Sequence, residues 1–197
     1  MQSYWELLTP LRIVEILGVL TGLVCVWLYI REKVSAWPIT IISASLFVVL
    51  FLDARLYANV GLQVFFIVLA VYGWHQWQRG GIEKTGVSVS RITGRVAVLL
   101  LLLTAAASAL FAAVLGSATN AAEPLWDSLA TAMSLAAQWM LAKKILENWL
   151  VWIAADIIFV AVYVQSALYV TAGLYIVYLV MATAGFLAWR RSLGNCG

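Results

Sequence analysis

Charge is what this chain has least of: 11% of its 197 residues are Asp, Glu, Lys or Arg, while 64% are hydrophobic. A soluble domain of this size needs more polar surface than that. The chain is therefore expected to be an integral membrane protein. Histidine occurs once, as His75, and cysteine twice, as Cys25 in an apolar run and Cys196 near the C-terminus. No disulfide framework follows from that pair. With no HExxH and no cysteine–histidine constellation, a membrane enzyme is not expected, nor a metal site or cofactor. The net charge of +3 says little by itself, and no nucleic-acid partner is expected. Glu6, Arg12 and Glu15 leave no basic n-region and no A-x-A site follows, so no cleaved signal is expected.

What is abundant is apolar sequence. A bilayer core about 30 Å thick takes roughly 20 helical residues per crossing. Seven runs qualify, near 13–30, 37–52, 56–78, 95–116, 125–142, 148–164 and 167–189. They lack the alternation of a barrel, and open strand edges are not tolerated in lipid, so the spans are helices. Seven crossings place the termini on opposite sides. Arg12 and Arg55 are the only basic residues on the N-terminal side, whereas ten fall on the other, including Arg31, Lys33, Lys143, Lys144, Arg190 and Arg191. Basic residues favour the cytoplasm, so the N-terminus is expected outside and the C-terminus inside.

The chain also repeats itself. Residues 15–79 align without a gap on 127–191 at an offset of 112. The matches include Trp27/Trp139, Trp37/Trp149, Phe47/Phe159, Leu56/Leu168, Tyr57/Tyr169, Gly61/Gly173, Gly73/Gly185 and Trp77/Trp189. Hydrophobicity alone matches Leu with Val, but not this set of tryptophans and glycines. The reading is a three-helix repeat at 1–79, a cytoplasmic loop and linker helix at 80–124, and a second repeat at 125–197. A linker helix between two odd-numbered units restores the same orientation in both. This 3+1+3 parallel arrangement resembles SWEET-type transporters.

Within the sixth run, "ENWLVWIAAD", Trp149, Trp152, Asp156, Val160 and Tyr163 fall on one helical stripe. Asp156 is the only acidic residue well inside a span, where a carboxylate costs on the order of 2.5–3.5 kcal/mol on the mildest scale. It faces a cavity, a partner or the bundle interior; a structural hydrogen bond to a neighbouring helix is the other reading. The repeat places Thr40, Ala44 and Phe51 opposite Trp152, Asp156 and Tyr163. The second half thus carries extra aromatic and acidic chemistry on the same face. Trp149 and Trp152 read as lining for a substrate, whereas Trp5, Trp77, Trp126 and Trp189 read as interface anchors. Asn59 and Gln63 share a face of the third helix, as do their counterparts Thr171 and Tyr175 in the seventh. Gln138, Ser43 and Ser45 are further polar groups inside spans. Each is either interhelical glue or a ligand contact. Pro38 and Pro124 mark helix starts, and His75 reads as an exposed interfacial residue.

Aromatic faces, amides and one carboxylate suit a flat, cationic heteroaromatic ligand. No span centre carries the Lys or Arg that phosphate recognition normally recruits, so a dephosphorylated nucleotide suits the site better than a phosphorylated one. A neutral sugar would not need this much aromatic and acidic chemistry. A non-transporting scaffold would not need a duplicated fold with asymmetric polar groups.

The stretch "QWMLAKKILENWLVWIAADIIFVAVYVQSALYVTAGLYIVYLVMATAGFLAWRR" closely resembles the PnuC family of bacterial vitamin transporters, most specifically in "ENWLVW" and the following "LY". "WPITIISASLFVVLFLDARLYANVGLQVFFIVLAVYGWHQW" resembles the first half of that family. The resemblance implies a SWEET-like fold in the bacterial inner membrane, a homotrimer surrounded by lipid, and uptake of nicotinamide riboside by facilitated diffusion. The ligand would then be trapped by a cytoplasmic kinase. Thiamine is the alternative cargo, and riboflavin a further one. Residue by residue, the match points to Asn148, Trp149 and Trp152, and more loosely to Asn59 and Gln63. Asp156, Gln138, Tyr163 and Trp37 join the substrate-binding set on physical grounds.

Overall fold

The computed structural model describes residues 10–53, 55, 57–80, 86–118 and 124–194; Trp5, Leu56, Lys84 and Cys196 lie outside them. The described residues form seven α-helices: α1 (Pro10–Ile30), α2 (Ala36–Asp53), α3 (Tyr57–Arg79), α4 (Gly94–Ala118), α5 (Pro124–Ala142), α6 (Asn148–Gln165) and α7 (Tyr169–Gly194). Among them there is no β-strand, only an isolated bridge between Ser90 and Ile145. The expected boundaries hold to within a few residues, except that α7 runs on past 189 to Gly194.

Six helices, all but α5, are long and apolar enough to cross a membrane. Their apolar side chains stay uncovered by protein: Leu101 on α4 is 71% exposed and Val170 on α7 91%. In water such a surface would drive association; in lipid it is solvated. The shortfall in α5 has a physical cause. It carries Ser128, Thr131, Ser134 and Gln138, of which Ser128, Ser134 and Gln138 are buried. Helix α5 packs against both α4 and α6. A helix enclosed by protein can hold polar residues that a lipid-facing helix cannot.

The chain divides into two compact units, residues 1–87 and 88–197. In the first, α2 packs against α1 and α3; in the second, α4, α5, α6 and α7 pack in sequence order. The offset of 112 reappears in the backbone, since both ends of α6 lie that far beyond those of α2. Among the described residues, four that are not glycine have left-handed backbone: Glu32 (φ 53°), Arg55 (56°), Lys144 (52°) and Ala167 (56°). They form two pairs at the same offset. Glu32, Lys144 and Ala167 each sit at the left-handed position of a Schellman ending, with the next amide bonded five residues back: Lys33 to Leu28 at 2.9 Å, Ile145 to Met140 at 3.0 Å and Leu168 to Tyr163 at 2.8 Å. Glutamate, lysine and alanine have no shared liking for that conformation, and glycine would adopt it at less strain. Helix packing, rather than local sequence, sets these turns.

Each unit is built around a tryptophan seated on a glycine. Trp37 is fully buried, edge-on to Tyr29 at 4.8 Å and to Trp77 at 5.4 Å. Trp149 is buried and edge-on to Trp189 at 5.4 Å. Gly73 lies against the ring of Trp37 and Gly185 against that of Trp149. This corrects two expectations: Trp77 (4% exposed) and Trp189 (0%) are core residues, not interface anchors. A glycine one turn before each tryptophan opens a notch in α3 and in α7. The facing indole fills it, and the following tryptophan closes over its edge. Trp126, by contrast, is half exposed, as anchoring requires. His75 is exposed as expected. Pro38 lies in the first turn of α2 and Pro124 opens α5.

Candidate substrate-binding site

Helix α6 carries the stripe, and the turn before it decides which residue starts the helix. After Lys144 turns the chain, the Nδ2 of Asn148 donates to the Ile145 carbonyl at 2.6 Å. Asn148 is fully buried, and its Oδ1 accepts no hydrogen bond among the described residues. Trp149 follows, buried on Gly185 with an unpartnered indole Nε1. Trp152 is half-buried one turn further on.

Asp156 sits at the middle of α6 and is 3% exposed. No hydrogen bond or ion pair holds it among the described residues, where Tyr175 lies within electrostatic reach. A buried carboxylate without a partner is expensive and uncommon. Beyond it, Phe159, Tyr163 and Tyr175 form an aromatic cluster across α6 and α7. Phe159 and Tyr163 stack at 6.0 Å, Tyr175 lies 4.7 Å from Phe159 and 5.2 Å from Tyr163, and Tyr178 meets Tyr175 at 5.9 Å. The antiparallel α6–α7 pair touches at Trp149/Gly185 and at Phe159/Tyr175. Asp156 lies between those levels along α6. On α5, which packs on α6, Gln138 is buried, and the Ser128 Oγ has no hydrogen-bond partner among the described residues.

The first unit fills the equivalent positions differently. Thr40, which takes the place of Trp152, is bonded to the Tyr29 hydroxyl at 2.6 Å and to its own helix at the Ala36 carbonyl. Ala44 replaces Asp156 and is buried. Phe47 and Phe51 stack at 5.9 Å, like Phe159 and Tyr163, but without a hydroxyl. Ser43 donates to the Gly18 carbonyl at 2.9 Å and ties α2 to α1, whereas Ser45 bonds back within α2. Trp37 is wholly buried with an unpartnered Nε1. On α3, Asn59 is exposed and Gln63 half-buried.

The structure therefore brings Asn148, Trp149, Trp152, Asp156 and Tyr163 onto α6, with Gln138 on the packed α5. It places Trp37, Asn59 and Gln63 in the other unit. Tyr178 and Ser128 did not emerge from the sequence. Tyr178 follows Tyr175 by three residues, a spacing that already puts both on one side of α7. Ser128 gave no comparable signal.

Long lipid-compatible helices with polar groups buried between them define a multi-pass membrane protein. The chain belongs to the nicotinamide mononucleotide transporter family, whose family model matches residues 12–191. The nicotinamide riboside transporter PnuC of Escherichia coli (strain K12) is 28% identical over 209 residues, an alignment spanning 93% of this chain and 87% of that one. The riboflavin/roseoflavin transporter RibM of Streptomyces davaonensis is 23% identical over 178 residues, spanning 89% of this chain and 83% of that one. A crystal structure of the vitamin B3 transporter PnuC shares the fold, with a TM-score of 0.73 at 20% identity, covering 92% of this chain and 82% of that one. The chain is thus a transporter of the bacterial inner membrane, not an enzyme.

Proposed function

We propose that this protein takes up nicotinamide riboside by facilitated diffusion, with a cytoplasmic kinase trapping the product as its phosphate. The observation that carries this reading is Asp156, a carboxylate buried at the middle of α6 beside an aromatic cluster. A pyridinium cation over aromatic faces gains from the ring quadrupoles, and a nearby carboxylate adds to that attraction. Asn148, Trp152, Asp156, Gln138 and Tyr163 are the proposed contacts in the second unit, with Trp149 as the packed wall behind Trp152. The same role is proposed for Asn59, Gln63 and Trp37 in the first.

The accompanying topology is seven crossings in a 3+1+3 parallel arrangement, N-terminus outside, with repeats at 1–79 and 125–197. Helix α5 crosses despite its lower apolarity because α4 and α6 cover it. The assembly is proposed to be a trimer.

The family takes its name from the mononucleotide, while the E. coli relative is named for the riboside. The choice between them rests on charge. Basic residues within helices lie only near their ends, such as Arg12, Arg79, Arg95, Arg190 and Arg191. A phosphate taken into such a site would be left unpaired, at a free energy that exceeds its other contacts. The similarity to RibM favours riboflavin as a second reading, and thiamine fits the cationic chemistry equally.

Titration calorimetry of the purified protein with nicotinamide riboside, its 5′-phosphate, thiamine and riboflavin separates these. The expected result is binding of the riboside, with the phosphate weaker by about a hundredfold, corresponding to roughly 2.8 kcal/mol. Tighter binding of the phosphate would overturn the reading, and binding of thiamine or riboflavin alone would move the protein to that cargo.

A further inference from the structure

The turn between α5 and α6 is held from outside by a segment that has no counterpart at the α1–α2 turn among the described residues. Residues 88–93, just before α4, run beside residues 144–147 as a short parallel strap. The Ser90 amide donates to the Lys144 carbonyl at 3.0 Å, and the Leu146 amide donates to the Ser90 carbonyl at 2.8 Å. The third tie uses a side chain: the Ile92 amide donates to the Glu147 Oε2 at 2.9 Å.

Glu147 immediately precedes α6, where an acidic side chain would ordinarily cap the free amides of its own helix. It makes no such cap. Its carboxylate is turned instead onto the strap, across 55 residues of sequence. The next residue is Asn148, fully buried with one amide end bonded into the turn and the other unpartnered. Trp149 and Trp152 follow on the same helix. The position equivalent to Glu147 in the first repeat is Ser35, and in the helix that follows it the positions of Trp152 and Asp156 are taken by Thr40 and Ala44.

We infer that Glu147 is a positioning residue for the substrate site: through the strap it fixes the first turn of α6, and with it the orientation of Asn148 and Trp152. A hydrogen bond to a charged acceptor is among the stronger ones a turn can use, and loss of one end leaves the other unsatisfied. The inference rests on the proposed site for its ligand, but the tie itself can be measured without one.

The test compares Glu147→Ala, Glu147→Gln and Ile92→Pro in the full-length protein. Ile92→Pro removes the donor and leaves the α6 side chains untouched. The first readout is amide hydrogen exchange by mass spectrometry, without ligand. Glu147→Ala and Ile92→Pro should raise exchange over residues 145–152 and leave α7 unchanged, while Glu147→Gln, which keeps an acceptor oxygen, stays near the parent. The second readout is calorimetry with nicotinamide riboside, where the same two variants should weaken binding on the order of tenfold and Glu147→Gln should restore it. Unchanged exchange over 145–152 would overturn the tie, whatever the cargo proves to be. Raised exchange with parental affinity would overturn the positioning role. A parent that binds no riboside would instead refute the proposed cargo, and the exchange result would still decide the strap.

Discussion

Protein carrying Asp156→Asn is expected to melt higher than the parent and to bind nicotinamide riboside about thirtyfold more weakly. The two halves of this expectation have one cause. Asp156 is 3% exposed at the middle of α6, with no hydrogen-bond partner among the described residues. Holding a carboxylate at that depth costs on the order of 2.5–3.5 kcal/mol, and an amide of the same shape costs less. Without ligand, the substitution removes a destabilising charge. A gain of roughly 1 kcal/mol raises the melting temperature of a protein this size by about 2–4 °C. With a pyridinium bound, the charge is what the ligand meets, and truncating one partner of a close charge pair costs about 2–5 kcal/mol. A stability gain coupled to a binding loss marks a residue kept for function. The competing explanation, a structural hydrogen bond between helices, predicts the opposite sign for stability. Thermal unfolding in detergent without ligand, beside calorimetry with it, decides between them. A lower melting temperature in Asp156→Asn would contradict a binding role and favour the structural one.

Gly185→Ala is expected to destabilise the protein by about 1–3 kcal/mol, and Gly73→Ala by at least as much. A β-carbon at Gly185 would come within 2.7 Å of three atoms of the Trp149 ring, and one at Gly73 would overlap the Trp37 ring still further. Neither indole has room to retreat, because Trp189 and Trp77 close their edges. The repeat supplies its own controls. Gly61 and Gly173 are also paired at the offset of 112, and a β-carbon at either meets nothing within 4 Å. Alanine there should be neutral or stabilising by about 0.5–1 kcal/mol, since glycine in a helix interior is the poorer residue. Fluorescence-detected thermal unfolding of the four variants should separate them into two pairs. Equal melting of all four would mean that the tryptophans are not seated as described. Gly185→Ala should also weaken ligand binding through Trp149, on the same helix as Trp152.

The helices were legible because seven apolar runs are separated by short charged or turn-rich breaks such as "REKVSAWP" and "KKILEN". The internal match of the sequence was legible because tryptophans and glycines align where hydrophobicity alone would not. Its structural meaning was less so. Trp77 and Trp189 stand near helix ends, where the interface rule assigns tryptophan to the headgroups. The contrary signal was the glycine four residues before each, which opens a notch on that side of the helix. The low apolarity of α5 reads as weakness in a one-dimensional scan, and only packing between α4 and α6 accounts for it. Asp156 stood out by charge alone. Tyr163 stood out by its place on the same stripe, whereas Tyr178 did not, because only its spacing from Tyr175 marks it. The contact between Ile92 and Glu147 was out of reach altogether, since no periodicity links a loop amide to a turn carboxylate 55 residues away.

The most direct test of the central claim is uptake of radiolabelled nicotinamide riboside into liposomes holding the purified protein, with no nucleotide and no ion gradient. Facilitated diffusion predicts protein-dependent uptake that stops when inside and outside concentrations are equal, survives a protonophore, and is lost in Trp152→Ala. Accumulation beyond equality would require a driving ion, and no uptake above that of empty liposomes, with thiamine or riboflavin entering instead, would contradict the assignment of the cargo.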